Sequence, residues 1–193
     1  MKGKAVSVYA LNGGRGFRKP RRLTVWSTVA GLMVLPVLAV RDIDDLTSSP
    51  GDFMFLLILL AGVALAYELG VRVTGRSAYP VALGIALAAS FGSIWINLAV
   101  GIIGSEDNPA NLIYAGVIAV ATAGALLGRF QPLNMARTMV AAAIAQMLAF
   151  VLALVAGFGF TGPITVFFTA LWLISSWLFG KAAGERTSDC ALP

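Results

Sequence analysis

The stretch Phe53–Val73 reads FMFLLILLAGVALAYELGVRV and carries two charged side chains, Glu68 and Arg72, in 21 residues. A helix of about 20 mostly apolar residues crosses the hydrocarbon core of a bilayer, because each residue adds about 1.5 Å. We therefore interpret this stretch as a membrane-spanning helix. Further runs of the same kind follow it along the chain and predict an all-α integral membrane bundle.

The composition of the chain supports this interpretation. Of its 193 residues, 59% are hydrophobic and 12% are charged, whereas soluble domains carry about 25% charged residues. A soluble domain of this size has too small an interior to bury so much apolar surface. The class of soluble globular proteins is therefore excluded.

Polar breaks between the apolar runs predict six spans. A basic tail, residues 1–22, precedes the membrane domain at 23–181, and a second tail, 182–193, follows it. No cleavable signal peptide is predicted, because no short apolar segment with a small-residue cleavage site follows the basic tail. Asn108 and Pro109 are typical of a helix start, as cap and first helical residue. The spans are predicted near 23–40, 53–73, 80–104, 110–128, 135–157 and 163–180.

The basic residues test this six-span topology. Thirteen of the 14 Lys and Arg residues lie in segments on one side of it, and Arg41 is the exception. Cytoplasmic segments of membrane proteins are enriched in Lys and Arg, so both termini are predicted to be cytoplasmic. The opposite side collects acidic residues, namely Asp42, Asp44, Asp45, Asp52, Glu106 and Asp107.

The sequence lacks the residues that most membrane enzymes need. It contains no histidine and one cysteine, Cys190. This disfavours histidine-ligated haem, most zinc and copper sites, thiolate metal clusters and histidine-based catalysis. We therefore predict no catalytic residues, no bound metal and no cofactor, and expect a protein that is not an enzyme.

Glu68 and Arg72 form one candidate site within the membrane. They lie four residues apart in the predicted helix, with the acid on the N-terminal side, which favours an ion pair. The pair predicts either a proton or cation site near the cytoplasmic mouth or an interfacial ion pair that ends the helix. The second interpretation is favoured, since such pairs are common at helix ends.

Ser93, Asn97 and Gln146 are further polar residues in predicted spans. Ser93 shares a helix face with Asn97, and Gln146 lies near the middle of its own span. Ionisable and amide groups in a membrane are costly and need a structural or functional reason. The residues predict either a polar lining for a solute path or hydrogen bonds between helices, of about 0.6–2 kcal/mol each. The second is favoured.

The segment from Gly104 to Asn111 is predicted to lie on the outer face. It contains two carboxylates and two amides, and oxygen-rich loops of this kind bind hard cations. Acids and amides before a helix also cap it and complement its dipole. The capping interpretation is favoured because six ligands are not visible. The candidate residues are Glu106, Asp107, Asn108 and Asn111.

The same sequence elements resemble a family of small bacterial polytopic membrane proteins of uncharacterised function. The resemblance covers roughly Pro50 to Ala156 and implies a bacterial inner-membrane location, without any assigned activity or site. Its most specific part is the block WINLAVGIIGSEDNPAN at Trp95–Asn111. The remaining matches are SPGDF at 49–53, AYEL at 66–69, RFQP at 129–132 and MAR at 135–137.

Partners are predicted from charge and from small residues. The tail 1–22 is expected to contact anionic lipid headgroups, and no nucleic-acid role is expected. Small residues at helical spacing, such as Gly124 and Gly128, allow helices to approach closely. They predict a compact bundle and are compatible with self-association or with other membrane subunits.

These features lead to three functional hypotheses. The first is a non-catalytic accessory or assembly subunit of a larger membrane complex. The second is a small-solute or cation transporter with a polar path through Glu68, Asn97 and Gln146. The third, a membrane enzyme with a metal at Glu106 and Asp107, has the weakest support, because neighbouring carboxylates alone are little evidence for a reaction.

Overall fold

The structure, a computed structural model, describes residues 50–73, 78–99, 101–104, 107–158 and 160–189. Within these ranges the chain forms helices joined by turns and loops, and no strand occurs there. The basic tail at 1–22, the predicted span at 23–40 and Glu106 lie outside the described residues.

Five helical segments in the described ranges are long and apolar enough to cross a membrane. They confirm the prediction of an all-α fold in the described ranges, fit a multi-pass membrane protein and coincide with five of the six predicted spans. A short 3₁₀ turn, Pro109–Asn111, leads into the third helix. The α-helices are α1 at Pro50–Val73, α2 at Ala78–Ala99, α3 at Leu112–Leu127, α4 at Pro132–Val155 and α5 at Gly162–Asp189.

The chain divides into two units, residues 1–60 and 61–193. In the first unit the described residues, 50–60, are the N-terminal part of α1. In the second, α5 packs against α2 and α4, and α4 also packs against α3. We call the end of this bundle that carries residues 101–104 and 107–111 the loop end, and the opposite end, with residues 128–131, the turn end.

Aromatic and small side chains fill the interior of the second unit. Tyr79, Phe168, Trp172 and Phe179 are each at most 2% exposed, and alanines pack between them. The outer surface carries large apolar side chains, as a helix facing lipid does; they include Leu127, Leu152 and Val155.

The predicted end of one span is wrong. The sequence predicts a span at 80–104, but α2 ends at Ala99. Gly101 and Gly104 have φ angles of 73° and 71°, a region that glycine enters without the strain that a Cβ imposes. The Gly101 amide donates to the carbonyl of Ile96 at 3.1 Å. The chain therefore turns out of the helix although the apolar sequence continues.

The α3–α4 turn contains two non-glycine residues in the left-handed region. Arg129 has a φ of 48° and Phe130 a φ of 56°, a conformation that costs roughly 1–2 kcal/mol per residue. Amides of both residues donate back to α3, from Arg129 to Leu126 and from Phe130 to Ala125. The Tyr79 hydroxyl of α2 donates to the Phe130 carbonyl at 2.7 Å and helps to hold the turn in place.

Gly124 sets the separation between α3 and α4. A Cβ built at Gly124 would lie 2.5 Å from Cγ2 and 2.7 Å from Oγ1 of Thr138 on α4. Thr138 is β-branched, so its side chain has little freedom to move away. The prediction that small residues bring the helices close together is confirmed at this position.

Replacing Gly124 with Ala is expected to lower the free energy of unfolding in detergent micelles by about 1–3 kcal/mol, because the new methyl overpacks the interface. Gly116→Ala on the same helix is the matched control, since a Cβ there has nothing within 4 Å. The control should leave stability unchanged or slightly raised. Equal stabilities for the two variants would contradict the close α3–α4 contact.

Candidate functional site

A cleft of about 450 Å³ opens between α2 and the start of α3 at the loop end. Apart from Tyr114, five of its lining residues are polar, and the lining also contains apolar residues, among them Leu98, Leu112 and Ile118. The polar residues are Ser93, Asn97, Asp107, Asn108 and Asn111. All five belong to the candidate residues predicted from the sequence, so the fold brings two of the intramembrane candidates and three of the loop candidates into one place.

Asn111 fixes the loop end of the cleft. Its side chain is 7% exposed, and its Oδ1 accepts a hydrogen bond from the Ile103 amide at 2.8 Å. Its carbonyl accepts from Nδ2 of Asn97 at 3.0 Å. Asn111 therefore ties the 101–104 segment and α2 to the start of α3, a role that sequence spacing did not reveal.

Asn108 confirms the predicted cap. Its Oδ1 accepts a hydrogen bond from the Ala110 amide at 3.0 Å, and Pro109 follows in the first turn. Asp107 is exposed at the rim of the cleft. Among the residues that the structure describes, no group of three or more His, Cys, Asp or Glu side chains could hold a metal ion.

Ser93 and Asn97 supply the inner polar atoms of the cleft. Ser93 is 2% exposed, and its Oγ has no hydrogen-bond partner within the described ranges. Asn97 uses its Nδ2 to bind Asn111, but its Oδ1 likewise has no partner there. Asn97 therefore both joins two helical segments and lines the cleft, so the two interpretations of this residue are compatible.

Gln146 lies in the interior, apart from the residues that line the cleft. It is fully buried on α4, and neither its Oε1 nor its Nε2 has a partner in the described part of the chain. The indole N–H of Trp172 on α5 is likewise unpartnered there. A hydrogen bond between helices, the favoured interpretation of Gln146, is therefore not formed by this side chain with any described residue.

Glu68 and Arg72 form the predicted ion pair. Oε1 of Glu68 accepts from Nε of Arg72 at 3.1 Å and from Nη2 at 3.0 Å. The Arg72 side chain is 63% exposed and that of Glu68 is 19% exposed. A Cβ on Gly84 would meet Tyr67 at 3.9 Å, so Glu68 lies near the level of Gly84, about 20 Å along the bundle from Asn97.

In the described part of the chain, three hydrogen bonds between distant segments involve residues that the sequence did not single out as a site. All three bonds use hydroxyl groups, and a sequence does not show which distant group a hydroxyl will bind. The Tyr114 hydroxyl meets Oγ1 of Thr161 at 2.9 Å. On α5, Ser175 donates to the Ala82 carbonyl and Ser176 to the Ala136 carbonyl, both at 2.8 Å.

Comparisons of the chain with protein-family models, with curated proteins and with solved structures give no match. The resemblance of Trp95–Asn111 to a bacterial membrane-protein family therefore stays a prediction.

Replacing Asn111 with Ala is expected to destabilise the protein by about 1–3 kcal/mol, because the buried Ile103 amide loses its acceptor. Unfolding in mixed detergent micelles measures the change. Asn134→Ala is the control, since the Nδ2 of Asn134 makes only a long bond of 3.4 Å to the Gly128 carbonyl. If Asn111→Ala and Asn134→Ala have the same stability, the assigned role of Asn111 is contradicted.

Replacing Gln146 with Met is expected to leave stability unchanged or to raise it by about 1 kcal/mol. Met has a similar length, and it removes two buried polar atoms that have no partner among the described residues. Gln131→Met, at an exposed position before α4, should change stability by less than about 0.5 kcal/mol. A loss of more than about 1 kcal/mol at position 146 would mean that the amide is hydrogen-bonded, through a buried water for example.

Proposed function

We propose that this protein is a non-catalytic accessory or assembly subunit that packs against a larger membrane complex. In this proposal it resides in the bacterial cytoplasmic membrane, with six spans and both termini in the cytoplasm. The observation that carries the proposal is an exposed face of small residues on α3. Gly116, Ala119, Thr122 and Ala123 form this face, which we call the small face, and all four are exposed.

Small residues have a specific use inside a membrane. Lipid chains are as apolar as leucine, so helices associate through close packing, and small residues let two backbones approach. The exposed surface of α4 differs from the small face, because it carries Leu148, Val151 and Leu152. On α3, exposed Val120 lies beside the small face, and exposed Leu126 lies beyond its end. A Cβ at Gly116 would have nothing within 4 Å. The small face therefore offers a shallow groove in which a helix of another subunit fits.

The filled interior of the bundle also supports an accessory role over transport. Trp172, Phe168 and Gln146 are at most 2% exposed and lie between α2, α4 and α5. Side chains of this volume leave little room for a solute to pass along the bundle axis. The cleft beside Asn97 lies off this axis, between α2 and α3.

The distribution of charge supports the proposed orientation. Arg72, Arg129, Arg137 and Lys181 all lie toward the turn end, and Asp107 lies at the loop end. Cytoplasmic ends of membrane proteins are enriched in Lys and Arg, which assigns the turn end to the cytoplasm. The bacterial setting is supported by the resemblance of the Trp95–Asn111 block.

A small-solute or cation transporter is the second candidate, and the cleft is the observation that favours it. Residues that line the cleft carry buried polar atoms without partners among the described residues, as a binding site for a solute does. A path through Glu68, Asn97 and Gln146 would need these groups to meet. In this conformation Glu68 lies about 20 Å from Asn97 along the bundle, so transport through all three requires a second conformation.

The first experiment extracts the full-length protein in a mild detergent and identifies all retained proteins by native mass spectrometry. An assembly with other membrane proteins is expected. Ala119→Leu should reduce the retained partner at least tenfold, because a large side chain fills the groove of the small face. Ala170→Leu on α5 is the matched control, since exposed Val166, Phe167 and Leu173 already cover that surface.

Two results would contradict the proposed function. In one, the wild-type protein is recovered alone, which would shift the conclusion toward the transporter. In the other, Ala119→Leu and Ala170→Leu retain the partner equally, which would show that the small face is not the contact surface.

A further inference from the structure

We propose that the cleft between α2 and α3 binds a phospholipid with a primary ammonium headgroup, an ethanolamine phospholipid. The proposal does not depend on the accessory role. It rests on the polar atoms left without partners in the cleft, on the charge of its lining and on the surface onto which it opens.

The inner end of the cleft contains polar atoms that the described part of the protein does not satisfy. Ser93 is one of the residues that line the cleft and is 2% exposed, and its Oγ has no hydrogen-bond partner among the described residues. The Oδ1 of Asn97, one helical turn nearer the loop end, also has none there. Buried polar atoms in a membrane protein normally have partners, so a bound molecule is expected to supply them.

The lining selects for a hydrogen-bond donor that carries positive charge. Oδ1 of Asn97 and the carboxylate of Asp107 accept hydrogen bonds, and the carboxylate is negative. No Lys or Arg is among the described residues that line the cleft. A primary ammonium offers three N–H donors and a positive charge, whereas a headgroup with only an anionic phosphate would meet acceptors and a like charge.

The mouth of the cleft opens toward lipid. Leu98 and Leu112 line it and are 52% and 72% exposed. Exposed leucines on a membrane bundle contact acyl chains, so a molecule can enter from the bilayer. Ile94 and Ile118 extend the apolar lining away from the rim, which suits an acyl chain and not a small soluble amine.

From the loop end into the cleft, the order of these groups matches the order of groups in such a lipid. Asp107 and Asn97 lie nearest the loop end, where the ammonium of the headgroup lies. Ser93 lies four residues before Asn97 and therefore about 6 Å deeper. The Ser93 hydroxyl donates to an ester carbonyl, which joins the headgroup region to the acyl chains.

The experiment titrates delipidated full-length protein with ethanolamine or choline phospholipids of identical acyl chains, and native mass spectrometry counts the bound lipid. The choline lipid is the matched control ligand, because its quaternary ammonium has no N–H donor. Wild-type protein is expected to bind the ethanolamine lipid about tenfold more tightly, which corresponds to about 1.4 kcal/mol. Equal affinity for the two lipids would overturn the proposal.

Two variants test the assigned groups without removing any hydrogen bond among the described residues. Asp107→Asn should weaken binding of the ethanolamine lipid about three- to tenfold and that of the choline lipid less, because only the primary ammonium donates a hydrogen bond to the carboxylate. Ser93→Ala should weaken binding of both lipids about three- to tenfold, because the ester carbonyl is common to both. Ser90→Ala is the control, because the Oγ of Ser90 binds the Ala86 carbonyl of its own helix at 2.9 Å and should not affect either lipid. Wild-type affinity in both test variants would overturn the assignment.

Free ethanolamine distinguishes the lipid from a soluble amine. Millimolar ethanolamine should fail to displace the ethanolamine lipid, since it lacks the acyl chains that fill the apolar part of the cleft. Full displacement at that concentration would overturn the assignment to a lipid and would leave a small amine as the ligand.

Discussion

Backbone amides and carbonyls that face the hydrocarbon core of a membrane find no water, so each helix end must satisfy its own polar groups or place them in the polar region. The described helices meet this constraint in different ways. Beyond α4, the Phe158 amide donates to the Ala153 carbonyl and Gly157 takes a φ of 74°. After α2, the Asn111 side chain accepts from the Ile103 amide. The loop end and its cleft depend on this hydrogen bond between Asn111 and Ile103.

The cleft exists because α2 stops early. Had the helix continued to residue 104, as the apolar sequence predicts, the chain would have projected beyond the start of α3. Instead the 101–104 segment folds back, and Asn111 joins it to the 3₁₀ turn. Asn97, which lines the cleft, is held by the same residue through its amide nitrogen, and its Oδ1 has no partner among the described residues. The need to satisfy the backbone amide of Ile103 thus places polar residues in the cleft, beside exposed leucines.

Much of the fold was predictable from hydropathy, and most of the site was not. Length and apolarity determine where a helix can cross a bilayer, so five of the predicted spans appear as helices. Asn108 was recognisable as a cap because a cap acts on its immediate neighbours. The role of Asn111 was not recognisable, because the fold of the chain between Ile103 and Asn111 determines that these two residues meet. Gln146 illustrates the same limit: the sequence gives its position in a helix but not which groups surround it.

The α3–α4 turn has a consequence for the order in which the bundle assembles. Arg129 and Phe130 hold a left-handed conformation, and a hydroxyl from Tyr79, 51 residues earlier in the chain, binds the Phe130 carbonyl. Ribosomes synthesise α2 before this turn, so the donor is already present when the acceptor emerges. The hairpin of α3 and α4 can therefore form against α2, which is synthesised earlier. If α2 is misplaced, the same turn must form without the hydrogen bond from Tyr79.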